Sequence, residues 1–116
     1  MKHRIAKRTL GRSRQHRRQM LRNLSHSLIA HGSIVTTEAK GKELKRFLEP
    51  VLSVAREELT LHTRRLILSR LHGSFDIELL AETAQRHKGR PGGYLRMTKM
   101  PTQRTDGARM VKVEIV

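Results

Sequence analysis

The chain of 116 residues contains no cysteine and no tryptophan, and aromatic residues make up only 3% of it. Without cysteine it can form no disulfide, no thiol nucleophile and no zinc site that needs a thiolate. No apolar run approaches the ~18 residues that predict a membrane-spanning helix. The scarcity of aromatics also disfavours modules that stack single-stranded RNA bases on a sheet. What remains is one small domain whose binding chemistry must come from charge.

Negative charge is missing from the first third of the chain. The first 37 residues contain nine Lys or Arg and no Asp or Glu, and Glu38 is the first acidic residue. Over the whole chain 25 Lys and Arg stand against 10 Asp and Glu, which gives a formal net charge of +15. A surface built only for solubility mixes both signs, because a single-sign field repels itself. The pattern therefore predicts a surface that binds a polyanion, either a nucleic acid or an anionic membrane.

Two rival interpretations of the acid-free N-terminus are a solvated tail without a partner and an organellar transit peptide, which is also rich in Arg and Ser and poor in acids. The apolar residues of segment 20–29 fit a folded core, and cleavage of a transit peptide would discard them. We therefore favour a polyanion-binding segment. Its candidate cations are Lys2, Arg4, Lys7, Arg8, Arg12, Arg14, Arg17, Arg18 and Arg22.

Hydrophobic spacing predicts an α/β fold of the α+β type. A first helix is predicted between an N-cap at Ser13 and a C-cap at Gly32, with an apolar stripe on one side and basic residues on the other. Thr36 or Thr37 is expected to cap a second helix, which Pro50 should kink or break. The remaining predicted elements are strands at 33–37, 94–100 and 109–116 and helices at 61–71 and 76–85. The helix over 61–71 should end at Gly73, and Ser74 or Asp76 should cap the one that follows.

The predicted architecture is a single two-layer domain in the order α-β-α-α-α-β-β, with the helices packed on a small three-stranded mixed sheet. Residues 1–12 show no periodicity and carry little that could stay buried, so we expect an extended basic arm that becomes ordered on its partner. The globular domain is expected to span residues 13–116. Its last strand alternates apolar and polar residues, which is typical of a sheet covered on one face.

Enzymatic and metal-binding functions have little support in the sequence. His16, His26 and His31 invite a metal interpretation, but they are not three or four residues apart and no carboxylate lies near them in sequence. The ten acidic residues look like scattered, solvated helix positions, and no nucleophile, histidine and acid form a recognisable set. We expect no enzyme, no catalytic residue, no cofactor and no metal.

The segment from Lys88 to Gly93 is a glycine-rich loop that contains Arg90, a further candidate phosphate contact. Gly92 and Gly93 could provide a positive-φ turn into the next strand, or could let bare backbone approach a sugar-phosphate chain. Tyr94 could stack on a base, beside Arg96, or could be packed at the sheet edge. The sequence leaves both pairs of alternatives open.

Several motifs together resemble one family. The opening MKHR, the run LGRSRQHRRQMLRNL, the segment TTEAKGKELKRFLEP, and GGYLRMTK before a terminal VEIV are similar, in this order and spacing, to the bL17 family of bacterial large-subunit ribosomal proteins. The resemblance covers nearly the whole chain. Two departures stand out: Arg14 and Gln15 replace a common Ser-Ser, and the hairpin loop reads RTDG where the family commonly has Arg-x-Gly-Asp.

The resemblance implies a compact α/β domain whose basic N-terminus is threaded into large-subunit rRNA, near the mouth of the peptide exit tunnel. It also implies a set of residues that face RNA. These are Lys2, His3, Arg4, Arg12, His16, Arg17, Arg22, Asn23, Lys40, Lys42, Lys45, Gly92, Gly93, Tyr94 and Arg96.

Our hypothesis from the sequence is a structural, non-enzymatic rRNA-binding protein of the cytoplasmic ribosome, or alternatively of an organellar one. Expected partners are large-subunit rRNA and neighbouring ribosomal proteins, without a small-molecule substrate, membrane insertion or a homo-oligomer. One rival hypothesis is a free DNA- or nucleoid-binding protein. Another is a membrane-surface protein that uses the first helix as a basic amphipath.

Overall fold

The computed structural model describes His3 and residues 7–72, 77–101 and 104–116. Within these ranges it contains four helices and three strands, in the predicted order. The elements are α1 (Arg14–His31), β1 (Ser33–Thr37), α2 (Glu38–Ala55), α3 (Leu61–Leu71), α4 (Ile77–Gln85), β2 (Leu95–Lys99) and β3 (Met110–Ile115). The predicted α+β fold class is confirmed. The expected stop at Gly73 and the caps at Ser74 or Asp76 lie outside the described residues.

Both predicted caps of α1 are confirmed. The Ser13 hydroxyl accepts a hydrogen bond from the backbone N–H of His16 at 3.3 Å and satisfies a donor that the helix leaves free. At the other end Gly32 takes the left-handed conformation, with φ of 79°, and its N–H donates to the Leu28 carbonyl at 2.7 Å. These local signals fix the length of the helix that carries Arg14, Arg17, Arg18 and Arg22.

Helix α2 lies at the centre of the fold and contributes the largest part of the core. Thr37 caps it, and it passes through Pro50 as one helix, so the proline does not break it. Its buried apolar face consists of Leu44, Leu48, Val51, Leu52 and Ala55. Since the stripe continues in register on both sides of Pro50, packing stabilises the turn in which the proline removes a backbone donor.

The sheet has the strand order β1-β3-β2, and both strand pairs are antiparallel. The prediction of three strands is confirmed, but the expectation of a mixed sheet is wrong. Strand β3 lies in the middle, antiparallel to β2 in the hairpin and antiparallel to β1 at the other edge. The pattern of a five-residue strand such as β1 carries no information about the direction of its partner.

One face of the sheet is covered by α2, and the helix lies close to the strands at Gly41. A Cβ atom on Gly41 would lie 2.9 Å from Cγ2 of Val111 and 3.3 Å from Cγ2 of Val113. Both valines are buried, whereas Lys112 and Glu114 point to the opposite face. The alternation predicted for the last strand is therefore confirmed.

Candidate nucleic-acid interface

The segment just before α1 turns back on itself. The Arg12 backbone N–H donates to the Thr9 carbonyl at 3.1 Å, and the Arg12 guanidinium donates to the Leu10 carbonyl at 2.6 Å. Leu10 and Gly11 both have positive φ angles, 56° and 67°. Residues 9–12 are therefore not extended, while the assignment of residues 1–12 to an RNA-binding arm stays a prediction.

A buried carboxylate holds the start of this segment against the helices. Glu43 on α2 is only 3% exposed. Its Oε2 lies 2.6 Å from Nη2 of Arg17, and its Oε1 lies 3.2 Å from Nη1 of Arg8 and 3.7 Å from Nη1 of Arg46. The Arg17 Nε also donates to the Arg8 carbonyl, at 2.5 Å. A buried carboxylate is unfavourable without charged partners. This cluster therefore fixes the segment before α1, through Arg8, relative to α1 and α2.

The sequence did not identify this role of Glu43. The expectation that the acidic residues are solvated is wrong for it, because its partners lie 35 and 26 residues earlier in the chain. One signal was available. Glu43 precedes Phe47 by four residues and adjoins Leu44, which places it at the border of the apolar stripe of α2.

The basic side of α1 faces away from the core. Arg14, His16 and Arg18 are exposed. Arg22 is half-buried, and its Nε donates to the Arg70 carbonyl of α3 at 3.0 Å. Exposed Asn23 accepts a hydrogen bond from the Gln19 amide at 3.3 Å. The helix therefore presents cations and amides to solvent along a rigid surface.

The three lysines of α2 differ in their surroundings. Lys42 lies 3.1 Å from Glu38, and the hydrogen bond and charge of Lys42 lower the pKa of that carboxyl. Burial opposes this shift, and the charges of Lys99 and Arg109 lower the same pKa by smaller amounts. Lys40 and Lys45 are half-buried.

Arg46 joins two parts of the surface. It contacts Glu43, and together with Lys45 and Gly92 it also lines a shallow hollow beside the 90–94 loop. The fold thus brings α1, α2 and this loop together on one side of the domain. We call this side the α1–α2 face; it comprises Arg14, Arg17, Arg18, Arg22, Lys45, Arg46 and Gly92.

Tyr94 is packed inside the domain. Its side chain is 1% exposed, its hydroxyl donates to the Arg90 carbonyl at 2.8 Å, and the Arg56 guanidinium donates to the hydroxyl at 2.7 Å. The Arg56 guanidinium also donates to the Arg90 carbonyl. The structure thus supports the packed alternative, and a base cannot stack on this ring without rearrangement. The His87 ring lies next to the Tyr94 ring. Burial lowers the pKa of His87, and the charges of Arg90 and Arg86 lower it further.

The two loop glycines have different geometries. Gly93 has φ of 71°, so it serves as the positive-φ turn into β2. Gly92 has no positive φ, and a Cβ there would meet no atom within 4 Å. Approach of its backbone to a sugar-phosphate chain stays a prediction. Arg90 is exposed at the edge of this loop.

The other predicted contacts lie elsewhere. Arg96 is exposed on the face of the sheet away from α2, where it pairs in register with Glu114. His3 and Lys7 are exposed. Lys2 and Arg4 lie outside the described residues.

The described ranges contain neither a cluster of metal-binding side chains nor a membrane-spanning helix. Among those residues, no three His, Asp or Glu side chains come close enough together to hold a metal ion. None of the helices there has the length and apolar character needed to cross a bilayer.

Comparison with known proteins identifies the family to which this chain belongs. A profile of the family described as Ribosomal protein L17 matches residues 20–116. The chain belongs to this family. The resemblance drawn from its motifs is therefore confirmed.

Full-length relatives in the bL17 family agree with this assignment. The chain is 47% identical over 118 residues to the "Large ribosomal subunit protein bL17" of Wolbachia from Brugia malayi, covering 100% of the chain and 83% of the relative. It is 44% identical over 108 residues to the bL17 protein of Carboxydothermus hydrogenoformans, covering 92% and 96% respectively. It is 41% identical over 117 residues to that of Neorickettsia sennetsu, and both chains are covered completely.

The two departures from the common bL17 motifs lie on the surface. Arg14 and Gln15 form the first turn of α1 and are both exposed. In the hairpin loop the Gly107 N–H donates to the Arg104 carbonyl at 2.9 Å, and Gly107 has φ of 75°. The loop therefore forms a turn that needs glycine at its last position.

Proposed function

We propose that the chain is a structural, non-catalytic protein of the large ribosomal subunit that binds large-subunit rRNA through its N-terminal arm and its α1–α2 face. The observation that carries the proposal is the arrangement around Glu43. One buried carboxylate holds the arm and α1 in place, while the neighbouring cations Arg14 and Arg18 point outward. Because the chain belongs to a ribosomal protein family, we infer that the polyanion is rRNA.

Binding would proceed by neutralisation of phosphates. Arg is suited to this because its planar guanidinium can donate to two phosphate oxygens at once. If about six to ten phosphates are neutralised, affinity should fall roughly 1,000- to 100,000-fold between 50 and 200 mM salt. In this proposal residues 1–12 form an arm that orders fully only on rRNA, and residues 13–116 form the folded unit that holds rRNA segments at a fixed separation.

The proposed location is the ribosome, on the solvent side of the large subunit near the exit tunnel, with rRNA and other ribosomal proteins as neighbours. The position near the tunnel rests on the family resemblance alone. The names of the bacterial relatives support the large subunit.

Burial in α1 argues against the membrane rival. Leu21, Leu28 and Ile29 are 1%, 0% and 6% exposed, so the apolar side of α1 lies in the core and is not available to a lipid surface. Insertion into a membrane would require the domain to open.

The test is gradient sedimentation of a tagged chain from cells, followed by competition binding in vitro. We expect the chain in large subunits or their precursors, and tighter binding to large-subunit rRNA than to duplex DNA at about 150 mM salt. A chain that never sediments with large subunits, or that prefers duplex DNA, would contradict the proposal.

A further inference from the structure

A cleft of roughly 450 Å³ opens between residue 7, α1, α2 and the end of α3. Its lining includes six cationic side chains and one carboxylate: Lys7, Arg17, Arg18, Arg22, Arg46, Arg70 and Glu43. We propose that this basic cleft binds the sugar-phosphate backbone of large-subunit rRNA, and that Arg46 and Arg70 contact phosphates in it. The proposal rests on the rRNA-binding function above and names a site within it. Neither arginine was among the residues predicted from the sequence.

The carboxylate in the cleft does not cancel its positive charge. Glu43 is almost fully buried and has Arg17 at 2.6 Å and Arg8 at 3.2 Å. The Arg17 side chain is only 16% exposed, so it is largely committed to this pair. Arg46 also contacts Glu43, at 3.7 Å, but its side chain is 50% exposed at the opening. Lys7, Arg18, Arg22 and Arg70 add further positive charge to the lining, so cations outnumber the single carboxylate. Such a concave surface of one sign concentrates the field that attracts a polyanion.

The α3 side of the cleft is held in place by two contacts. The Arg70 guanidinium carbon lies 5.1 Å from the centre of the Phe47 ring, a cation–π arrangement. The Arg70 carbonyl accepts a hydrogen bond from Arg22 Nε at 3.0 Å. A guanidinium that stacks on a ring keeps its N–H donors at its edge free for a planar acceptor such as phosphate. Arg70 is exposed and lies at the end of α3 that adjoins the basic side of α1.

The chemistry favours the RNA backbone over RNA bases. Among the described residues of the lining, Phe47 carries the only aromatic ring, and Arg70 covers it, so this ring is not open for base stacking. The lining side chains are mainly cations, which match phosphates and carry no base code. The cleft should therefore bind RNA by its charge and shape, independently of sequence.

The test compares two double variants of the full chain in binding to in vitro transcribed large-subunit rRNA across a salt series. Arg46→Gln with Arg70→Gln removes two charges from the cleft. Arg65→Gln with Arg86→Gln is the control, because it removes the same charge from exposed positions outside the cleft. Thermal melts of both variants verify that they fold.

We expect the cleft variant to lose roughly 10- to 100-fold in affinity, and its slope of log affinity against log salt to become shallower by about one to two. The control should lose less than about threefold. Equal behaviour of the two variants would overturn the inference while leaving the proposed function intact, because wild type would still bind rRNA.

Other outcomes separate the alternatives. If the cleft variant binds naked rRNA normally but fails to enter large subunits, an acidic protein surface occupies the cleft and the inference is wrong. If wild type itself does not bind the rRNA, the proposed function fails, and the inference with it. On wild type, rRNA should protect Arg46 and Arg70 from an arginine-specific dicarbonyl reagent more than Arg65. This readout needs no variant.

Discussion

The α1–α2 face and the outer face of the sheet both carry basic side chains, but they differ in where the carboxylate lies. On the sheet, Glu114 is on the surface, 3.9 Å from both Arg96 and Lys112, and all three side chains are at least 29% exposed. On the α1–α2 face, Glu43 is buried beneath the arginines that it binds. A surface carboxylate weakens the field of its neighbours, whereas a buried one orders them and leaves other cations facing outward. A count of charges alone would not separate the two faces.

Removal of residues 1–12 should have the largest effect on this difference, because it removes the five cations of the proposed RNA-binding arm: Lys2, Arg4, Lys7, Arg8 and Arg12. We expect affinity for large-subunit rRNA to fall about 100-fold at physiological salt, with a salt slope shallower by about three to five. The shortened chain should still fold, since the buried core lies within 21–113. Circular dichroism and filter binding measure both effects. An unfolded product would contradict the division between arm and domain.

Arg17→Met should have the next largest effect, on stability. The substitution leaves buried Glu43 without its shortest ion pair, and we expect the free energy of unfolding to fall by about 2–3 kcal/mol, as measured by urea denaturation. Arg18→Met removes the same charge at an exposed neighbouring residue, and the free energy of unfolding of this variant should stay within about 0.5 kcal/mol of wild type. Similar losses in both variants would mean that the Glu43 cluster does not stabilise the fold.

Some features of the structure could be predicted from the sequence, and others could not. The caps at Ser13 and Gly32 were predicted correctly because each depends on neighbours within four residues. The strand directions, the burial of Tyr94 and the role of Glu43 depend on partners tens of residues away. The buried Tyr94 hydroxyl accepts a hydrogen bond from the Arg56 guanidinium, and nothing in the sequence around either residue indicates that contact. Residue type and spacing could therefore identify the basic surface, but not the ion pairs that organise it.

Glu43→Gln should distinguish two effects on rRNA affinity, the ordering of arginines by Glu43 and the net charge of the chain. The variant is more positive by one unit, so long-range attraction alone predicts tighter binding to rRNA. We expect instead a three- to tenfold loss of affinity, because Arg8 and Arg17 lose the group that holds them and more freedom must be lost on binding. The salt slope should not become shallower, since no cation is removed. Tighter binding in a filter assay would show that Glu43 does not pre-order this face.

A pH titration should reveal a smaller effect next to the 90–94 loop. Burial lowers the pKa of His87 in the folded chain, so the unfolded chain takes up this proton at higher pH than the folded one. The folded state should therefore lose stability as pH falls from above about 6.5 toward the lower folded pKa. His87→Gln should weaken this dependence, and the comparison with wild type removes the contribution of the other histidines. Identical pH profiles of unfolding would contradict the prediction.

The smallest effect is expected on the sheet, at Arg96. The family resemblance implies that Arg96 contacts RNA, yet in the structure this residue faces away from α2 and lies 3.9 Å from Glu114. If the carboxylate weakens its field, Arg96→Gln should change rRNA affinity by less than about threefold. Arg18→Gln on the α1–α2 face should cost about tenfold, although each variant removes one exposed arginine. Equal losses would mean that the outer face of the sheet also contacts RNA, and that rRNA displaces Glu114 from Arg96 on binding.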